Sequence, residues 1–294
     1  GSTDQPFLEP TLAGHFMTIS TRDQLIDALG NNSSRFILDK ASIASQAAGT
    51  YVSLWRATGQ PGQGAIPGSA AVCTNADVGA MNFNQQTSPA TSYGAYMEIA
   101  VGNAATTVEI HDRIAHMGNL SGGVTAAQTV GIDVSALLST GNIAARIGDS
   151  NYSDVQWWME WYTATGATAV TATAAVTYND GTTGSITVSL AASRPAGFMQ
   201  SLNGLIPAAS SGKFIRAITS VTLSASTGSV GSFGFTATRV RMSLGAPIAN
   251  MKFTADWAQL GLPEIKNSAC LFPIVLTSTT SSGTVRGGGK IIHG

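Results

Sequence analysis

Asp154-Val155-Gln156-Trp157-Trp158-Met159-Glu160-Trp161-Tyr162 is the stretch that decides the fold class. Val155, Trp157, Met159 and Trp161 fall on one face of an extended chain, and Gln156, Trp158, Glu160 and Tyr162 on the other. Residues 163–167 turn the chain into 168–178, where Val170, Ala172, Ala174 and Val176 alternate with Thr or Ala. Asn179-Asp180-Gly181 closes a hairpin, because Asn and Gly tolerate positive φ, and residues 185–190 complete a meander. The first aromatic face, with Met159, reads as core.

Working outward, the same texture recurs. Segments 214–225 and 233–244 read as a second strand pair, 271–278 and 284–292 as a last pair. Upstream, 35–40, 51–58, 96–101, 107–110 and 129–134 read as further strands. Ten or so short strands with Gly, Ser and Thr turns predict a mainly β chain, an antiparallel β-sandwich of jelly-roll or Ig-like type. Convincing helices do not alternate with the strands, which disfavours a parallel α/β fold.

A small helical N-terminal region precedes them. Residues 21–30 carry a Ser20 or Thr21 cap, Asp23 in the first turn and Gly30 as a stop. Leu25, Ile26 and Leu29 form its apolar face, and so short a helix must dock onto something. Between 59 and 92 the pattern breaks into Gly, Pro and polar residues that carry Ile66, Met81 and Phe83. Long loops inside compact domains are usually functional or partner-facing. The expected organisation is a docking region over 1–58, a partner-facing loop over 59–92 and a β-sandwich domain over 93–294.

Only 11% of the 294 residues are charged, the net charge is −1 and 44% are hydrophobic. Hydroxyls and amides must therefore hydrate much of the surface. Near-neutrality argues against a nucleic-acid partner held by phosphate neutralisation. No window approaches the apolar length of a membrane helix, so no membrane partner is expected. Cys73 and Cys270 are read as two buried thiols in preference to one long-range bridge. The first residues lack a basic start and an apolar core, so no signal peptide is expected.

Chemistry is sparse. His111-Asp112-Arg113-Ile114-Ala115-His116 is the most reactive-looking run, with Glu109 nearby. An i, i+5 spacing puts the two imidazoles on opposite faces of a strand, so a polar strand–loop–strand connection is favoured over zinc. Residues 149–154 form an oxygen-rich loop that reads as an Asx-rich turn ahead of a calcium site. Trp158 and Tyr162, on the face opposite the core, have three options: a second sheet, a neighbouring subunit or solvent. Interface cores are enriched in aromatics, so a subunit contact is favoured over a sugar platform. There is no G-x-S-x-G elbow, and Gly287-Gly288-Gly289-Lys290 lacks the Ser or Thr of a phosphate loop. No catalytic residue, metal or cofactor is expected, and the chain is read as non-enzymatic.

Low charge, abundant Gly, Ala, Ser and Thr, and long Thr-rich strands over 154–190 and 214–244, with the 59–92 loop, resemble tailed-bacteriophage virion structural proteins. The likeness is to β-sandwich proteins that decorate or complete heads, and it lies in style, with no motif to carry residues over. The long charged spine helix of the major shell proteins of such phages is missing, which points to an accessory role. The resemblance implies a virion location on the capsid surface, synthesis in the host cytoplasm, and assembly with itself (a trimer favoured) and with the major capsid protein. Trp158, Tyr162, Ile66, Met81, Phe83, Leu25 and Leu29 are the expected contact residues. The alternative is a carbohydrate- or cell-surface-binding β-sandwich module.

Overall fold

A computed structural model describes residues 18–294. In chain order it runs α1 (Arg22–Asn31), β1 (Ser33–Lys40), β2 (Tyr51–Ser53), β3 (Gly59–Gln60), β4 (Ala71–Val72), β5 (Ser92–Val101) and β6 (Thr106–Leu120). It continues with β7 (Gln128–Asp133), α2 (Ile143–Arg146), β8 (Gln156–Thr163), β9 (Val170–Tyr178), β10 (Thr183–Leu190), β11 (Phe198–Ser201) and β12 (Ile215–Leu223). Then come β13 (Ser232–Ala246), β14 (Lys252–Ala255), α3 (Trp257–Leu260), β15 (Glu264–Ile265), β16 (Leu271–Leu276) and β17 (Val285–His293).

Eight of these strands form a jelly roll. One sheet has the order β14-β5-β17-β1, and the facing sheet contains β2-β16-β6-β13. The chain switches sheets at nearly every step and every pairing is antiparallel. Phe36, Leu38, Met97, Ile99, Val101 and Ile291 on the first sheet meet Val52, Val108, Ile110, Leu271 and Val275 on the second. The fold is therefore mainly β and of the sandwich class, as expected.

Residues 121–231 are an insertion between β6 and β13. Both strands are 15 residues long, about 50 Å at the usual rise, so they run from the base sandwich into the insertion. There a sheet of order β10-β9-β12-β7 packs on β6, β8, β11 and β13. Trp157, Met159 and Trp161 lie in this second core, as their alternation predicts. Trp157 Nε1 donates to Ile215 O at 2.8 Å. The Asn179-Asp180-Gly181 hairpin is present, with Thr177 opposite Thr183 and Gly181 at φ +83°.

Strands β8 and β11 complete a ring. They bridge β13 to β2, and β13 pairs directly with β6, so the order β13-β8-β11-β2-β16-β6 closes on itself, with β4 appended to β6. Register shifts in the β13–β6 ladder bend the two long strands, as closure requires. Two expected pairs are corrected by this topology. Strand β12 pairs with β9 and β7, not with β13; β16 and β17 lie in opposite sheets.

The expected boundaries also change. Strands β1 and β2 are integral to the sandwich, so residues 33–53 of the expected 1–58 region belong to it, while residues 1–17 lie outside the described residues. Helix α1 is capped by a Thr21–Gln24 capping box and rests on its own chain, with Leu25, Ala28 and Leu29 packed beside Tyr93, Ala95 and Ile292. The 59–92 segment folds back over the ring. Gly64 and Gly79 bring its backbone onto the Trp55 ring, where a Cβ would stand 1.9 Å and 2.5 Å from ring atoms.

Candidate functional site

The groups that looked chemical in sequence converge inside the ring. Ile114 slips out of the β6–β13 ladder, because Ala115 pairs with Ala237 while Arg113 pairs with Thr238. That slip places His111, Arg113 and His116 on one side of β6, where a regular strand would have split the two histidines. The expected connection over 111–116 is instead continuous strand.

Arg113 occupies the middle of the lumen. Its Nη2 donates to Glu160 Oε1 at 2.9 Å and to Ser53 Oγ at 3.3 Å. Nη1 reaches Thr236 Oγ1 at 3.2 Å and His116 Nδ1 at 3.0 Å. The rings of Trp55 and Phe272 sandwich the guanidinium at 4.5 and 4.3 Å. Arg113 and Glu160 are both buried. Burial opposes each charge, but each is the other's counter-ion: the arginine is held above its ordinary range and the carboxyl below its own. Burial and the Glu160 charge push the Tyr162 phenol up, so it stays a neutral neighbour of that carboxylate.

A second buried pair stands on the outer side of β6. Arg146 of α2 grips both oxygens of Asp112, at 2.6 and 3.0 Å, and donates to the carbonyls of Cys73, Gly141 and Arg113. His111 is held by Glu109 at 2.9 Å and Thr238 at 3.1 Å, and burial lowers its proton affinity. It does not converge with His116 on one point. These groups fix strand register, and none of them faces an open cleft.

The expected contact residues are accounted for differently. Trp158 is 4% and Tyr162 5% exposed, because both side chains point into the lumen. Trp158 packs on Tyr51 at 5.0 Å and donates to Thr238 Oγ1 at 2.9 Å. Met81 and Phe83 are buried in the base core, with Met81 bridging Leu271. Ile66 is half-buried against the cluster that contains Tyr162. As exposed contacts, then, Trp158, Tyr162, Met81 and Phe83 are corrected: the aromatic face meets the interior of its own ring, and Ile66 alone of these five keeps part of its side chain exposed. In the 149–154 loop, Asp149 accepts from the amides of Asn151 and Ser153, and Asp154 pairs with Arg239 at 2.6 Å. That is the expected Asx turn.

Three features escaped the sequence reading. Cys73 Sγ, Cys270 Sγ and an Asp77 carboxylate oxygen all lie within 4.8 Å of one another. A cleft of about 640 Å³ is bordered by Tyr51, Gln156, Trp158, Asn203, Lys213 and Phe214, with Gln156 Oε1 lacking a partner. The third is a surface. At the end of the base sandwich where β6 starts and β13 finishes, four loops are knitted together by hydrogen bonds: 41–50 to 277–284, 102–105 to both 247–251 and 277–284; the 41–50 loop also touches the insertion, where Gln46 Nε2 donates to Ala196 O at 2.9 Å. None of those residues is Asp, Glu, Lys, Arg or His. Ile248 and Met251 stand 54% and 51% exposed there.

By its fold the chain is a jelly-roll protein carrying an inserted sandwich. No family model and no curated protein matches it. Among solved structures it is similar to the infectious bursal disease virus VP2 subviral particle, at 10% identity, covering 90% of this chain and 81% of that one, with a TM-score of 0.18. T=1 particles derived from the same virus match at 10% identity over 90% and 78%, with a TM-score of 0.15. The Gt strain structure matches at 12% identity over 89% and 81%, with a TM-score of 0.17. Scores this low do not superpose the backbones as one fold, and none of these three is a tailed-phage protein. The neighbours' roles are therefore not carried over to this chain.

Proposed function

We propose that the chain is a non-enzymatic virion structural protein that packs against further copies of itself through the loop end of its jelly roll. The charge-free loop end carries this reading. A surface of small neutral residues with two exposed apolar side chains meets its own copy without like-charge repulsion, and burying Ile248 and Met251 favours the contact. Strands β6 and β13 start and finish at that end and enter the insertion at their other ends, while the 41–50 loop also meets the insertion at Ala196. A decoration or head-completion position on a phage capsid, beside the major capsid protein, is the finer form of this reading, with a trimer as the favoured oligomer.

Absolute mass by light scattering, over a range of concentrations, tests it. A stable multiple of 30.1 kDa, three above all, is expected; a monomer at every concentration overturns self-assembly.

The cleft beside Tyr51 favours a second reading, a carbohydrate-binding module. Aromatic edges and neutral amides and hydroxyls suit a hydroxylated ring. A glycan array with hits that disappear in Gln156→Ala supports that reading, and an array without hits removes it.

A further inference from the structure

The cluster at Cys73, Asp77 and Cys270 plays no part in the assembly reading. Cys73 directly follows β4 and Asp77 lies four residues on, both in the segment that folds over the ring. Cys270 directly precedes β16 in the ring wall. Their three potential ligand atoms lie mutually within 4.8 Å. Ligand atoms around a tetrahedral zinc ion stand about 3.3–3.9 Å apart, given bonds of 2.0–2.3 Å. The cluster thus has the size of a metal site with little rearrangement.

Both cysteine backbones are already fixed. Cys73 N donates to Ile114 O at 3.0 Å, and Cys270 N donates to Asp112 Oδ1 at 2.8 Å. Asp77 Oδ2 accepts from Thr74 N at 2.7 Å, which orients the carboxylate and leaves its other oxygen without a hydrogen-bond donor among the described residues. The thiol environment is asymmetric. Burial alone pushes both thiols up, but the Cys270 hydrogen bond and the nearby His116 and Arg113 draw Cys73 down, while Cys270 remains raised. His116 lies near Cys73 but outside the 4.8 Å cluster, with its Nδ1 3.0 Å from Arg113 Nη1.

We propose that Cys73, Cys270 and Asp77 bind a thiophilic divalent cation, zinc above all, which ties the 59–92 segment to the wall of the ring. Binding displaces the two thiol protons to solvent, and each thiolate donates an electron pair to the metal with no change of oxidation state. The two arginines nearby are already neutralised by Glu160 and Asp112, so the two thiolates and the Asp77 carboxylate leave net negative charge for the cation. The site is a clamp. It adds a cross-link between segments almost 200 residues apart in sequence, inside the apolar cluster that contains Trp55 and Phe272.

The experiment uses the full chain, purified under reductant and without chelator, with metal content read by plasma mass spectrometry. About one zinc per chain is expected, falling to background in Cys73→Ser and in Cys270→Ser. Cobalt(II) added to the stripped protein should give a sulfur-to-metal charge-transfer band in the near ultraviolet, absent from both variants. Amide exchange over residues 62–80 should quicken when the metal is removed, with the β9–β10 hairpin unchanged. The hairpin serves as an internal check on folding in the variants. Asp77→Asn, which keeps both thiols, should weaken metal retention at least tenfold. A folded, reduced protein with no zinc and no cobalt–thiolate band overturns the proposal. An intact mass lower by two hydrogens, marking a Cys73–Cys270 disulfide in place of a metal, overturns it equally.

Discussion

The ring lumen and the loop end of the base sandwich invert the usual distribution of charge. Arg113 and Glu160 are buried in the lumen, and Asp112 and Arg146 are buried on the outer side of its β6 wall, in a chain with few charges. The loop end, which faces outward, has none. Charged residues are rarely fully buried unless paired, and surfaces ordinarily carry most of them. The contrast assigns the two regions different tasks. Inside, ion pairs with directional hydrogen bonds set the register of a ring built from β2, β6, β8, β11, β13 and β16. Outside, on the proposed function, neutrality would leave copies free to approach.

Breaking the lumen should have the largest effect. Arg113→Met strands the Glu160 carboxylate in a buried site and should cost about 3–5 kcal/mol. Adding Glu160→Leu to it should recover much of that loss, because the pair is replaced by apolar volume. Chemical denaturation of both variants checks this; equal stability of the single and double variants would contradict the pairing.

Trp158→Ala comes next, at about 3–5 kcal/mol for a buried aromatic. Read as a contact residue, Trp158 would weaken assembly and spare the fold. Seated on Tyr51 in the lumen, it should instead lower the unfolding midpoint of the chain, measured by denaturation at a concentration where only monomer is present.

A smaller, pH-dependent effect should arise at the end of β17. His293 is held between the hydroxyls of Ser92 and Ser34 at 2.9 and 2.7 Å, and burial lowers its proton affinity below the ordinary value of 6.5. The unfolded chain then binds more protons than the native one at mildly acid pH. Stability is full above 6.5 and falls as pH drops through the folded value. His111 adds in the same sense, since burial lowers it too. Thermal melts from pH 8 to 5 should show a declining midpoint, and His293→Gln should flatten the slope.

The smallest effect belongs to the exposed cap of α1. Thr21→Ala removes the hydroxyl that accepts from Gln24 N and should cost about 1 kcal/mol. Amide exchange should report it within α1 and leave the ring protected.

What could be read in advance follows from the range of each interaction. The alternation at 155–162, the 179–181 turn and the helix cap at Thr21 are local, so their strands, hairpin and helix were legible. Which face of β8 met what was not. The Trp158–Tyr162 face was separated correctly from the core face, yet its partners are Tyr51, Trp55 and Phe272, which no spacing connects to it. The run at 111–116 misled for a related reason. Three charged or imidazole side chains in a row resemble a solvated connection, and only the slip at Ile114 and the closure of the ring turn them inward. The neutral loop end was hidden because its four loops are scattered across 41–284 and meet only when the jelly roll forms.

We propose that the loop end is neutral because copies meet there. Sedimentation velocity of the wild type beside Ile248→Asp tests it most directly. Ile248 is exposed, so the substitution should leave the melting midpoint within about 0.5 kcal/mol of unchanged stability. An oligomer is expected for the wild type and a shift to monomer, by at least tenfold in dissociation constant, for the variant. An identical oligomer in both, or a wild type that never associates, would contradict it.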